Sequence, residues 1–339
     1  MERKLASIQL ITDLQPIAGA DVIVLAKVLG WELIALKKEF QVGDKCVFFE
    51  IDSILPLAPW NAHLVKDGKP LRVRTMRMRG KLSQGLALPL SLLPEGTYEV
   101  GQDVTELAGV TKYEPYIPPE LVGRVKGTRP YFIPKTDEPR LQSAPDVLAE
   151  LLALNVNVIG TVKMDGSSVT AYIKDRVFGV CSRNMELIET EDNAFWKTIR
   201  AEKIEEKMRA YFAPTENVAI QGELCGPGLQ GNKMGLTKLE IHWYNLFSID
   251  TGKYSAHKSL LSFVAHAQLN IVKVVFHNYM PSDTTVTSLL EKASALKYEN
   301  GAPAEGIVWR PEIEVYSDVL KDRLSFKTIS NSFLEKHKE

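Results

Sequence analysis

Between residues 5 and 110 the apolar positions come in short runs, "DVIVLAKVLG", "WELIALKKEF" and "KCVFFEIDSILP", separated by turn-forming segments such as "VGD", "KDGKP" and "PEGTYEVGQD". Short strands at that spacing predict an all-β barrel or sandwich. A proline-rich stretch from 113 to 140, "YEPYIPPELVGRVKGTRPYFIPKTDEPR", then breaks both periodicities, because proline favours extended or turn geometry around itself. The boundary is placed there, giving domains 1–125 and 126–339, each long enough to bury its own core. Past residue 141 the pattern is mixed. A helix is expected through "APDVLAELLALN", strands through "VNVIGTVKM", "SSVTAYIKD" and "RVFGVCSRN", and a long helix-like segment through "NAFWKTIRAEKIEEKMRAYF". The turns at "DG" (165–166) and "KDR" (174–176) are tight enough to join neighbouring strands as a meander. Antiparallel hairpins beside segregated helices predict an α+β domain, and no internal repeat or low-complexity tract is visible.

Composition adds exclusions. A net charge of -1 with 45% apolar residues describes an ordinary globular chain, so an acidic partner must meet a local basic patch. The N-terminal "MERKLASIQL" lacks a secretory core and no apolar run reaches the roughly 18 residues needed to cross a bilayer, which predicts an intracellular, cytoplasmic protein. Three widely spaced cysteines without a CxxC pair argue against a disulfide framework or zinc site and read as buried small residues. The six histidines do not pair at metal-ligand spacing. Neither GxxxxGK[ST] nor a G-x-S-x-G elbow occurs.

The segment "TVKMDGSSVTAY" (161–172) puts Lys163 just ahead of an Asp-Gly pair. Lys-x-Asp-Gly alone arises by chance in on the order of one chain in fifteen of this length. Its ordered company carries more weight: "SRN" (182–184), "IQGELCG" (220–226), "IHWYNLFSID" (241–250), "EGIVWR" (305–310) and "LSFK" (324–327). This series resembles the covalent nucleotidyltransferases, the polynucleotide ligases and mRNA capping enzymes, whose signature lysine precedes strands of these kinds in this order.

The resemblance implies a catalytic set of Lys163, Asp165 and Lys327. Lys163 would be the nucleophile that takes a nucleoside monophosphate, and Lys327 would touch the α-phosphate. Asp165, Glu223 and Glu305 would be the carboxylates on the side of a Mg²⁺ or Mn²⁺ ion. Arg183, Glu223, Val308 and Lys327 would border the nucleotide, and one aromatic, Tyr244 or its competitor Phe247, would stack on the purine. The chemistry suits these residue types: an amine must lose its proton to attack phosphorus, from an ordinary pKa of about 10.4, and cations offset the charge of a triphosphate. Strict alternation in "LEIHWYNLFSID" sets Ile241, Trp243, Phe247 and Ile249 on one face and His242 and Tyr244 on the other.

Only twelve residues follow Lys327, too few for the OB-fold domain that follows the lysine strand in capping enzymes and DNA ligases. A β-rich segment precedes the series instead, and "PIAGAD", "GDKCVFFEIDS", "RMRGKLSQGL", "PKTDEPRLQ" and "SFKTISN" resemble the RNA ligase branch with an N-terminal OB-like domain, the Deinococcus and Naegleria type. That resemblance implies an OB-like barrel followed by an α+β nucleotidyltransferase domain with an ATP-grasp-like antiparallel sheet. It implies an ATP-dependent RNA ligase, working as a monomer on 3′-OH and 5′-phosphate ends, with a nicked duplex as the expected substrate. The lysine strand departs from the superfamily's K-x-K by reading Ser325-Phe326-Lys327. Arg140, upstream of the nucleophile, is expected to orient the leaving pyrophosphate. In "KDGKPLRVRTMRMRGK" (66–81), Arg72, Arg74, Arg77, Arg79 and Lys81 recur with period two, a candidate phosphate-tracking stripe on one strand face. Two rivals stay open: a GTP-using capping-type guanylyltransferase, and a catalytically silent RNA-binding scaffold.

Overall fold

A computed structural model describes residues 4–62, 64–65, 68–79, 81–113 and 125–337. The chain divides into two compact units, one of residues 1–116, 140–146 and 331–339, the other of 117–139 and 147–330. The first unit thus draws in two segments that a single cut in the linear sequence does not give it.

The sheets of the first unit are made of short antiparallel strands, and the helix Asn331–His337 joins them from the C-terminal segment. Ala6–Leu10, Lys45–Phe49 and Leu86–Leu88 form one sheet with Lys45–Phe49 at its centre. Asp13–Pro16, Ile23–Val28 and Trp31–Leu36 form a meander. Their inward residues, among them Ile8, Trp31, Leu33, Phe48 and Phe49, make one core in which all five are at most 1% exposed.

Two sheets organise the second unit. The larger has seven strands in the order Val125–Thr128, Met185–Leu187, Val177–Cys181, Ser167–Lys174, Val218–Cys225, Glu240–Ser248, Lys253–Tyr254. The smaller has four: Val274–Tyr279, Asn157–Lys163, Gly306–Pro311, Phe326–Ile329. Every pairing in both is antiparallel. Helices Ala194–Ala201, Ile204–Tyr211 and His257–Ala267 cover one face of the larger sheet, packing Trp196, Ile199, Met208 and Phe263 on Val169, Ile220, Leu224 and Trp243. The opposite face carries Glu223 and, further along, Tyr172, Ala219 and Phe247 packed with Ile133.

Two expectations are corrected and one holds. The long helix-like segment is two helices, because Lys203 takes a left-handed φ of 55° and caps the second. The "KDR" turn is a hairpin, with Asp175 and Arg176 both at positive φ between the paired Lys174 and Val177, as the right-handed strand twist favours. The "DG" turn is not: Asp165-Gly166 lies between the last residue of a strand in the four-stranded sheet and the first strand residue, Ser167, in the seven-stranded one. The corner changes sheets instead of closing a hairpin.

All three cysteines are free and buried, as expected. Among the described residues no helix is long and apolar enough to cross a membrane.

Candidate active site

Lys163 ends its strand opposite Gly306, and Nζ donates a 2.7 Å hydrogen bond to Glu305 Oε2. Cross-strand partners share a sheet face, so the rows Lys163–Gly306–Ile329 and Thr161–Val308–Lys327 lie side by side on one surface. Lys163, Val308 and Lys327 therefore stand together, Val308 at only 7% exposure between Thr161 and Lys327. The Lys327 amide donates to the Pro139 carbonyl at 2.9 Å, fixing that strand against the preceding segment.

The carboxylates reach the lysine from three places. Asp165 comes from the corner, Glu305 from the residue before Gly306–Pro311, and Glu223 from the middle of Val218–Cys225. Each stands beside a glycine, and the glycines explain the close approach. A Cβ on Gly166 would lie 2.4 Å from the Leu224 carbonyl oxygen, one on Gly222 2.8 Å from Ile241 Cγ2, and one on Gly306 2.1 Å from the Thr328 oxygen. Any side chain there would push strands apart and carry the neighbouring carboxylate with them. Gly306→Ala is accordingly expected to cost about 3 kcal/mol or more of stability, read from denaturant melts; an unchanged midpoint and slope would refute the steric account.

Burial opposes charge on Lys163, but Glu305, Glu223 and Asp165 outweigh it and hold the ammonium above its ordinary pKa. Glu223 behaves differently. Burial pushes its pKa up to about 8, against the pull of Lys163 and with the repulsion of Glu305 and Asp165 added. Lys233 supplies a second ammonium, 3.2 Å from Asp165 Oδ2. Three carboxylates thus face two ammonium groups; burial is the main cause of the raised proton affinity of Glu223, and repulsion from the other two acids adds to it. Among the described residues no three His, Cys, Asp or Glu side chains form a ready-made metal cage. The donors are nonetheless all oxygen and in charge excess, which suits a hard divalent cation that keeps much of its water.

Sequence reasoning missed two residues here. The Tyr298 hydroxyl donates to the Lys163 carbonyl and accepts from the Glu305 amide, both at 3.1 Å, tying the Lys163 strand to the acid that faces it. Tyr298 lies in "LKYENG", where no periodicity marks it. Lys233 sits in "GPGLQGNKMG", a glycine-rich segment between the strands Val218–Cys225 and Glu240–Ser248 that carries none of the motifs quoted above.

The aromatic strand needs a correction. Glu240–Ser248 pairs Gly222 with Trp243 and Gln221 with Asn245, so Tyr244 is an extra residue, a β-bulge. Beyond it the alternation inverts. Ile241 and Trp243 pack under the helices with Leu246, while Phe247 and Ile249 join Ile133, Tyr172 and Tyr254 in a different cluster. Tyr244 reaches Ser168 Oγ from its hydroxyl at 3.5 Å, and burial raises its pKa above the ordinary value. Phe247 pairs with Ala219, four positions from Glu223, and is 6% exposed within its core cluster.

Arg183 is tied through Nε and Nη2 to both carboxylate oxygens of Asp137. Arg140 belongs to the first unit, where its guanidinium lies 3.4 Å from Asp52 and over the Trp31 ring. The basic stripe does not form as expected. Arg72, in the strand Leu71–Arg72, is ion-paired to Asp52 at 2.7 Å and stacked on Tyr113, leaving it 15% exposed. Thr75–Met78 and Lys81–Gln84 form a separate hairpin; Arg77 pairs with Leu82, Arg79 takes a positive φ in the turn, and Lys81 begins the return strand opposite Met78. Period two cannot run through a turn, so these cations do not share one strand face. Arg74, Arg79 and Lys81 are exposed; Lys66 and the Arg77 side chain lie outside the described residues.

Comparison with known proteins bears on both units. A family model for RNA ligases matches residues 156–329, and one for an OB-fold domain matches residues 5–90. An apo variant of the Naegleria gruberi RNA ligase matches with a TM-score of 0.88 at 35% identity, over 99% of this chain and 98% of that one. A variant of that ligase with ATP and Mn gives 0.86 at 35% identity, over 99% and 98%. The same ligase with pyrophosphate gives 0.87 at 35% identity, over 99% of each chain. The comparison with curated proteins returned no match. The architecture is an N-terminal OB-fold domain followed by an α+β ligase domain, as the sequence resemblance implied.

Proposed function

The chain belongs to the RNA ligase family, and from that premise we propose that it seals RNA 3′-OH and 5′-phosphate ends with ATP, through a covalent adduct of AMP on Lys163. The observation that carries this reading is Lys163 Nζ, 2.7 Å from Glu305 and faced by Glu223 and Asp165, on a sheet surface shared with Lys327.

Three in-line displacements at phosphorus use the same groups. Lys163 Nζ first passes its ammonium proton along the Glu305 contact, and the neutral amine then attacks the α-phosphorus of ATP; the P–N bond forms and the bond to pyrophosphate breaks. The RNA 5′-phosphate then takes the AMP, which frees Lys163. The 3′-OH finally attacks that phosphate, and AMP departs. Lys327 offsets charge on the phosphate under attack, and Tyr244 stacks on the adenine. Asp165, Glu223 and Glu305 would hold Mg²⁺ or Mn²⁺, directly or through its water shell. A divalent cation there supplies charge that lowers the proton affinity of Lys163 and offsets that of the triphosphate.

We assign RNA grip to residues 1–125, with Arg74, Arg79 and Lys81 as the exposed cations, and the chemistry to 126–339. A nicked duplex is the proposed substrate, the protein acting as a cytoplasmic monomer. The test is incubation with α-labelled ATP or GTP and Mg²⁺, a denaturing gel, and then addition of nicked RNA. Label from ATP with sealing of the nick supports the reading. Label from GTP alone replaces it with capping-type chemistry, and RNA binding without label replaces it with a silent scaffold.

A further inference from the structure

The strand Glu240–Ser248 has nine residues against eight in its partner Val218–Cys225, and the surplus residue is Tyr244. A bulge takes backbone groups out of the ladder, and an enclosed carbonyl removed from its ladder needs another donor. The donor comes from the other sheet. Arg310 Nη1 donates to the Tyr244 carbonyl at 3.4 Å and to Asn245 Oδ1. Asn245 Nδ2 donates onward to Gln221 Oε1 at 3.2 Å, and the Tyr254 hydroxyl donates to the same oxygen at 3.1 Å. Gln221 Nε2 closes the chain on the Pro134 carbonyl at 3.1 Å.

Every member of this network is half-buried or buried, and none belongs to the carboxylate cluster around Lys163. Arg310 lies two residues beyond Val308 on the strand that faces the nucleophile, so one strand carries both a wall of the nucleotide site and the clamp on the bulge. A guanidinium enclosed this far is costly to bury, and a regular strand would need none of it. Its partners are the backbone and neighbour of the single aromatic that the bulge turns toward Ser168.

The geometry points to Arg310 as a positioning residue for the nucleotide: it holds the bulge that aims the Tyr244 ring at the base. This rests on the reading of Tyr244 as the stacking aromatic. Arg310 itself touches no reacting atom. Its loss weakens ATP capture while leaving the attack of Lys163 nearly intact once ATP saturates the site.

The test is single-turnover labelling of Lys163 as a function of ATP concentration, with thermal melts run alongside. Arg310→Lys keeps the charge without the fork. Arg310→Met keeps the volume and removes the buried charge, so it folds even where the lysine form does not. Both are expected to raise the half-saturating ATP concentration about tenfold or more, with the maximal labelling rate within about threefold of wild type. Added to Tyr244→Leu, Arg310→Met should change little, because both act through one ring. A folded Arg310→Met protein with wild-type ATP dependence overturns the inference, as does an effect that adds in full to that of Tyr244→Leu. Wild-type ATP dependence in Tyr244→Leu itself removes the stacking reading and this inference with it; sensitivity at Tyr244 without sensitivity at Arg310 removes only the inference.

Discussion

Lys163→Ala protein, incubated with α-labelled ATP and Mg²⁺ and resolved under denaturing conditions, is expected to carry no label. The loss should be complete, because in the proposed reaction this side chain supplies the atom that bonds to phosphorus. Lys233, the other ammonium of the cluster, is held at Asp165 on a different loop. Sealing of nicked RNA by ATP should vanish with the adduct. An RNA strand already carrying a 5′-adenylate should still be joined slowly, since the last step needs no lysine nucleophile. A label retained on the alanine protein, mapped to another lysine, would move the nucleophile and dismantle the site as drawn.

Glu305→Gln is the more discriminating experiment. Glutamine keeps an oxygen that can accept the Lys163 hydrogen bond, seen at 2.7 Å, and gives up only the charge. If Glu305 served merely to seat the lysine, labelling would survive. The charge excess of the cluster predicts otherwise. Labelling should fall about 10²–10³-fold, the scale on which removal of one preorganised electrostatic group is felt, and the Mg²⁺ or Mn²⁺ concentration needed for half the remaining rate should rise. A glutamine variant that labels at the wild-type rate and metal dependence would leave Glu305 a hydrogen-bond acceptor and nothing more.

That Lys163, Asp165, Glu223 and Glu305 gather, with Lys327 on the Lys163 sheet surface, was legible through the ordered motifs that carry them, in which the glycines beside the three acids are demanded by strand contact. Side chains set by local exceptions were not legible. Alternation assigned Phe247 and Trp243 to one face, and one inserted residue sent them to opposite clusters. The period-two cations at Arg72 to Lys81 read as a continuous strand, although their run passes through a break and a turn. Lys203 split a segment whose apolar spacing is sound on both sides of it. Tyr298 and Lys233 act through backbone and loop contacts that only the folded chain brings together. Domain-scale pattern survives these errors since it averages over many residues, whereas the aim of one ring depends on a single register.

The sheet change at Asp165-Gly166 has a consequence for how the adduct would be carried. Only three residues, Met164 to Gly166, separate the end of the lysine strand from Ser167, which opens its strand in the other sheet. An adenylate bonded to Lys163 would stand on one sheet and rest its base against Tyr244 on the other. The bound nucleotide would then lie across the same seam that the polypeptide crosses, with the peptide link at its root. A single short tether of covalent chain and a single bridge of cargo would span the joint in parallel, so strain placed on either would be shared by both.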